Sequence, residues 1–128
     1  MSISIYYSAQ RKKELSLSEI KAIEEIASRY SVNAQIENLV ATGVGLNWES
    51  FHFLTNTERP SLFKKAMVFS GSTKLPDNSA DATWIGVQHW CECLSELRQL
   101  LNTCDWSVSV DDHNMHWDPQ KLAYDPSK

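Results

Sequence analysis

The chain has 128 residues, 42 % hydrophobic and 22 % charged, which suits one domain (1–128) around one core. Its net charge of −4 and pI near 5.5 argue against a direct nucleic-acid partner. Phosphate binders present a basic face, and the basic clusters here, Arg11-Lys12-Lys13 and Lys64-Lys65, are short. No apolar run approaches the ~20 residues of a membrane span. The opening "MSISIYY" lacks the charged and apolar regions of a signal peptide. A cytoplasmic protein without a membrane partner is therefore expected.

"SISIYYS" alternates as a half-buried strand does, with Ile3, Ile5 and Tyr7 on one face and Ser2, Ser4, Tyr6 and Ser8 on the other. "AQRKKE" reads as a loop. "SLSEIKAIEEIASRY" is a helix opened by the capping box Ser16-x-x-Glu19, with Ile20, Ile23, Ile26, Ala27 and Tyr30 forming its apolar stripe. Beyond it, β-prone residues predict a short strand over 36–41 and a second over 49–55, with His52 pointing to solvent opposite Phe51 and Phe53. "NTERPS" is a loop broken by Pro60.

"KAMVFSG" is a short apolar run of the kind that fills a central strand. "STKLPDNSAD" reads as a loop, with Ser79 or Asp81 available to cap the next helix. "ATWIGVQHWCECLSELRQLLNTC" is that second helix, with the stripe Val87, Trp90, Cys91, Leu94, Leu97, Leu101 and Cys104. "WSVSVD" alternates once more, and the proline-interrupted tail is expected to be irregular. The sum is an α+β fold of β-α-β-β-α-β, ferredoxin-like layout. Its sheet has four or five mostly antiparallel strands, with two helices on one face and a serine-lined wet face on the other.

Five tryptophans are many for this length, and each indole N–H needs a partner, so one or two are expected half exposed. Cys91, Cys93 and Cys104 are odd in number and fit a reducing compartment. Cys91 and Cys93 point apart on a helix, which disfavours a redox pair. Ser70, Ser72, Thr73 and Lys74 offer hydroxyls and a cation for an anion. The plainer reading is a bend at Gly71.

The densest chemistry lies in "DWSVSVDDHNMHWD". Residues 105–118 hold four aspartates, two histidines and no lysine or arginine. His113 and His116 with Asp111, Asp112 and Asp118 are ligand types for zinc, iron or manganese. H-x-x-H on a strand or turn sends its rings in different directions, and Asp-Asp-His-Asn forms turns readily, so a hairpin turn with an acidic surface is favoured. The carboxylate pairs Glu24-Glu25 and Asp111-Asp112 are neighbours in sequence without thereby sharing a site. His52 and His89 have no nucleophile placed beside them. No cofactor and no enzymatic activity are expected.

An alternating first strand, "STKLP" after a central strand, a helix ending "LSELRQLL" and then "WSVSVDDHNMHWD" together resemble small bacterial immunity proteins. These are encoded beside the polymorphic toxins of contact-dependent inhibition systems. The likeness covers mainly residues 66–118. It implies a toxin inhibitor whose partner is a cognate protein toxin, for instance a nuclease with a basic cleft. Asp111, Asp112, His113, Trp117 and Asp118 would form its partner-binding face, with Asp105 a weaker candidate. Two other classes compete with it. One is a small metal-dependent hydrolase using His113, His116 and the nearby aspartates. The other is a small-ligand module on the serine-rich sheet face.

Overall fold

The computed structural model describes residues 3–128. Ser2, expected on the wet face, lies outside them. The alternating first segment forms β1 (Ser4–Arg11), which continues through "AQR" where a loop was expected. Helix α1 (Leu17–Arg29) comes next, then α2 (Asn33–Thr42), β2 (Leu54–Thr55), β3 (Ala66–Lys74), α3 (Ala82–Leu100), β4 (Asp105–Val110), β5 (His113–Asn114), β6 (His116–Asp118) and β7 (Ala123–Asp125).

The main sheet has the order β2-β3-β1-β4-β5, and every neighbouring pair is antiparallel. Strands β1 to β4 in this order make the ferredoxin-like arrangement, with β1 and β3 in the centre. Register separates the two faces. Ile5, Tyr7 and Ala9 stand beside Thr73, Gly71 and Phe69 on one side and Val110, Val108 and Trp106 on the other. This face is buried with Ile23 and Ile26 of α1 and with Trp90, Cys93, Leu94 and Leu97 of α3 in one hydrophobic core. The opposite face carries Tyr6 and Ser8, flanked by Ser72 and Ser70 and by Ser109 and Ser107. The serine-lined wet face is therefore present.

Three expectations need correction. Residues 36–41 are part of helix α2. Ile36, Leu39 and Val40 have i, i+3, i+4 spacing, and Gly43 takes the left-handed conformation (φ 72°) that closes a helix. Over 49–55 only Leu54 and Thr55 pair with β3. Residues 48–53 instead turn over the core, where Phe51 stacks on Tyr7 at 4.7 Å and on Trp90 at 5.2 Å. The His52 carbonyl takes its hydrogen bond from the Tyr7 hydroxyl, so it has no need of a ladder partner. The tail is a hairpin, β6–β7, in which Trp117 meets Tyr124 edge-on at 5.0 Å.

Helix α3 is covered on several sides, by the sheet, by α1 and by β7. Both Cys91 and Cys93 are consequently buried although they point apart, and burial pushes each thiol up to about 12. Asp81 stands at the N-cap of α3 without a side-chain capping bond. Gly86 is needed because a Cβ there would sit 2.5 Å from Cδ of the buried Pro76.

The capping box of α1 forms as expected. Glu19 accepts from the Ser16 N–H at 2.9 Å, and Ser16 Oγ accepts from the Glu19 N–H at 3.1 Å. The same carboxylate takes a two-pronged bond from Arg11 at the end of β1, at 2.7 and 2.9 Å. The Arg11 guanidinium, ahead of all other causes, holds Glu19 down at about 2 from an ordinary 4.5. A depressed carboxylate stabilises the fold above its unfolded value and loses that contribution as pH falls through the folded value. Stability should thus decline between pH 4.5 and 2. Glu19→Gln should cost about 1–2 kcal/mol at neutral pH and flatten that decline, as urea titrations at several pH values would register.

Candidate functional site

Strand β4 ends at the end of β1 where Ser4 lies, and the Asp111 N–H donates to the Ser4 carbonyl at 3.2 Å. Because Val110 pairs with His113, Asp111 and Asp112 form a two-residue hairpin turn between β4 and β5. Asp111 adopts φ 51°, a left-handed backbone that aspartate tolerates better than most residues. Asp111, Asp112 and His113 are all exposed, and neither carboxylate stands in an ion pair with a described residue. Met115 then turns inward, donating its N–H to the Val108 carbonyl at 2.8 Å and burying its side chain. This inward turn separates the acidic hairpin from β6.

The other expected residues of this stretch are placed differently. Asp105 begins β4 at the opposite end of the strand, roughly 20 Å from Asp111 at about 3.3 Å per residue. There it is paired with Lys65. Asp118 accepts from the backbone N–H of Gln120 at 2.9 Å and Lys121 at 3.2 Å, which closes the β6–β7 turn. The Lys121 N–H and then the Gln120 N–H hold its carboxyl below the usual range. Trp117 is half-buried, with the Arg98 guanidinium 4.3 Å over its ring and Tyr124 at its edge. It braces the tail hairpin against α3. The four acids of 105–118 do not form one patch. Asp111, Asp112 and His113 are together, while Asp105, Trp117 and Asp118 are committed elsewhere.

The histidines are also separated. His113 Nε2 lies 3.0 Å from the Lys128 carbonyl, whereas His116 is on β6 beyond the Met115 turn. Among the described residues no group of three or more His, Cys, Asp and Glu side chains converges as metal ligands. His89 packs among Tyr30, Trp48 and Trp90, with Nε2 2.7 Å from the Tyr30 carbonyl, and His52 is exposed. The hydroxyl group "STK" belongs to β3 and so alternates. Ser70 and Ser72 face the wet side, Thr73 faces inward against the Tyr7 hydroxyl at 2.8 Å, and Lys74 lies 3.8 Å from Glu49. No anion cradle results, and Gly71 makes no bend.

Trp48 and Trp106 pack against the core, and Trp117 and Tyr124 pack on each other. Tyr6, 48 % exposed, stands amid serines on the open face. The loop "NTERPSLFKK" carries two exposed apolar residues to which sequence reasoning assigns no role, Leu62 and Phe63. Their signal is an apolar pair between Pro60 and two lysines, with no periodicity to bury it. A cleft of about 420 Å³ lies between α1, the start of α2 and residues 50–53, lined by Glu24, Ser28, Ser31, Asn33, Ser50 and Phe51. It is separate from the acidic hairpin. No helix among the described residues is long and apolar enough to cross a membrane.

No protein-family model, curated protein or solved structure matches this chain.

Proposed function

We propose that this chain is an immunity protein that binds and neutralises a cognate bacterial toxin, using the Asp111–Asp112 hairpin as its electrostatic lead. The observation that supports this most is the turn itself. Two adjacent carboxylates stand exposed at a sheet end, without cation partners among the described residues. A short two-residue turn between paired strands holds them with little freedom to lose on binding. Beside them the open face offers Tyr6 and uncharged serines, whose hydroxyls cost less to desolvate than charged groups would. An acidic lead of this kind would steer toward a basic cleft, such as the substrate groove of a nuclease, and compete there with phosphate.

Asp111, Asp112 and His113 carry this proposal. Trp117 and Asp118 hold the tail hairpin, beyond the Met115 turn. The test is co-expression with any toxic domain found encoded beside this chain, with calorimetry of the purified pair. The chain should restore growth, and Asp111→Lys with Asp112→Lys should weaken binding by about tenfold or more and slow association most. Binding unchanged by the double reversal would remove the hairpin from the interface. Failure to protect against any adjacent toxin would remove the function.

A further inference from the structure

The two basic clusters, short in sequence, meet in the fold. Strand β1 runs out at Arg11, which pairs with Ala66 at the start of β3. Lys12 and Lys13 therefore leave the sheet at the same end at which Lys64 and Lys65 enter it. Arg59 stands in the same connection as Lys64 and Lys65. Lys12, Lys13, Arg59 and Lys64 are exposed, and none is ion-paired with a described residue. The acids of this end are largely engaged. Glu19 holds Arg11, Asp105 holds Lys65 and Glu58 accepts from the Met67 N–H at 2.8 Å, which leaves Glu14.

From the midst of these cations Leu62 and Phe63 project, 86 % and 93 % exposed, the most exposed large apolar side chains described. They occupy the tip of a tight turn in which Ser61 and Lys64 exchange backbone hydrogen bonds of 3.1 and 3.4 Å, and Ser61 Oγ accepts from the Phe63 N–H. An exposed apolar tip flanked in its own loop by Arg59 and Lys64 needs no complementary pocket in a fluid layer, whereas a protein partner would have to supply one. Leucine also cannot stack on a base, which makes single-stranded nucleic acid the poorer fit.

We propose that the Leu62–Phe63 turn is a docking tip for an anionic lipid surface. The two side chains enter the boundary of the acyl layer, while Lys12, Lys13, Arg59 and Lys64 lie at phosphate depth. This needs no spanning helix, so the absence of an apolar span does not bear against it. The acidic hairpin lies at the other end of β1, roughly 23 Å away at about 3.3 Å per residue, and would face away from the lipid. The proposal is independent of the identity of any toxin.

Flotation of the full chain with vesicles of phosphatidylcholine alone, and of phosphatidylcholine with phosphatidylglycerol, tests it. The chain should float with the anionic vesicles at low salt and be released by salt. Leu62→Ser with Phe63→Ser should lower partitioning about tenfold, as should Arg59→Gln with Lys64→Gln. Both pairs are exposed, so unchanged thermal melts will show that the fold is intact. No flotation with anionic vesicles would overturn the proposal, as would equal flotation of the Leu62/Phe63 variant. Binding to an oligonucleotide or an acidic polypeptide that these variants abolish, with vesicles ignored, would assign the tip to that partner instead.

Discussion

Gly71→Ala is expected to destabilise this protein by about 3 kcal/mol or more, although alanine is the better strand former. The gain in strand propensity is below about 1 kcal/mol. Against it, a Cβ at position 71 would overlap the His52 carbonyl oxygen and stand 2.6 Å from Cε2 of Tyr7. The carbonyl is backbone, and it is held by the Tyr7 hydroxyl, which is itself shared with Thr73. Tyr7 is 2 % exposed, and burial pushes its hydroxyl up to about 12, so it remains a neutral donor. Nothing at this point yields without breaking that bond or lifting residues 48–53. Urea unfolding of the variant checks this. A stability within about 1 kcal/mol of the parent would show that the segment moves aside freely.

The second large effect is expected at Trp90, which is fully buried. Phe51 stacks on it at 5.2 Å, and Trp48 and His89 meet it edge-on at 6.1 and 4.6 Å. Trp90→Ala should cost about 4 kcal/mol through lost contact and residual cavity. It should also open the chain near Phe51 and Phe53 to limited proteolysis, because those rings lose their seat. Trp90→Phe should cost clearly less. Phenylalanine keeps the stack on Phe51 and removes an indole N–H that finds no acceptor among the described residues. Equal losses for the two variants would mean that the indole N–H matters more than the aromatic packing. Both experiments concern the same device, an irregular strap laid across the helix-facing side of the sheet and held by Tyr7, Gly71 and Trp90.

That strap shows where local pattern stops being informative. Phe51, His52 and Phe53 alternate as a strand should, and His52 is indeed outward while its neighbours are inward. What the pattern lacks is the partner. The His52 carbonyl is satisfied by a tyrosine hydroxyl 45 residues away, a partner that no local pattern announces. Helix α2 was illegible for a related reason. Ile36, Leu39 and Val40 are β-prone as residue types, and the deciding facts are their i, i+3, i+4 spacing and the left-handed Gly43 that closes the helix. The acidic stretch was legible as a turn because Asp-Asp tolerates the backbone it needs. Its apparent unity was not real, since Asp105 and Asp111 sit at opposite ends of one strand and Met115 turns the chain away before Asp118.

The alternation of β1 and β4, the capping box of α1 and the stripe of α3 arise from side-chain periodicity and local hydrogen bonding. The sequence alone therefore determined the α+β class, the two long helices and the serine-lined face. Only the tertiary structure decided which charges share an end of the molecule. It split the aspartates of 105–118 and joined the lysines of 12–13 to those of 64–65, because antiparallel pairing of β1 with β3 brings residues 55 positions apart to the same end of the sheet. Periodicity records which face a residue occupies. It carries no term for the long-range register that sets its neighbours.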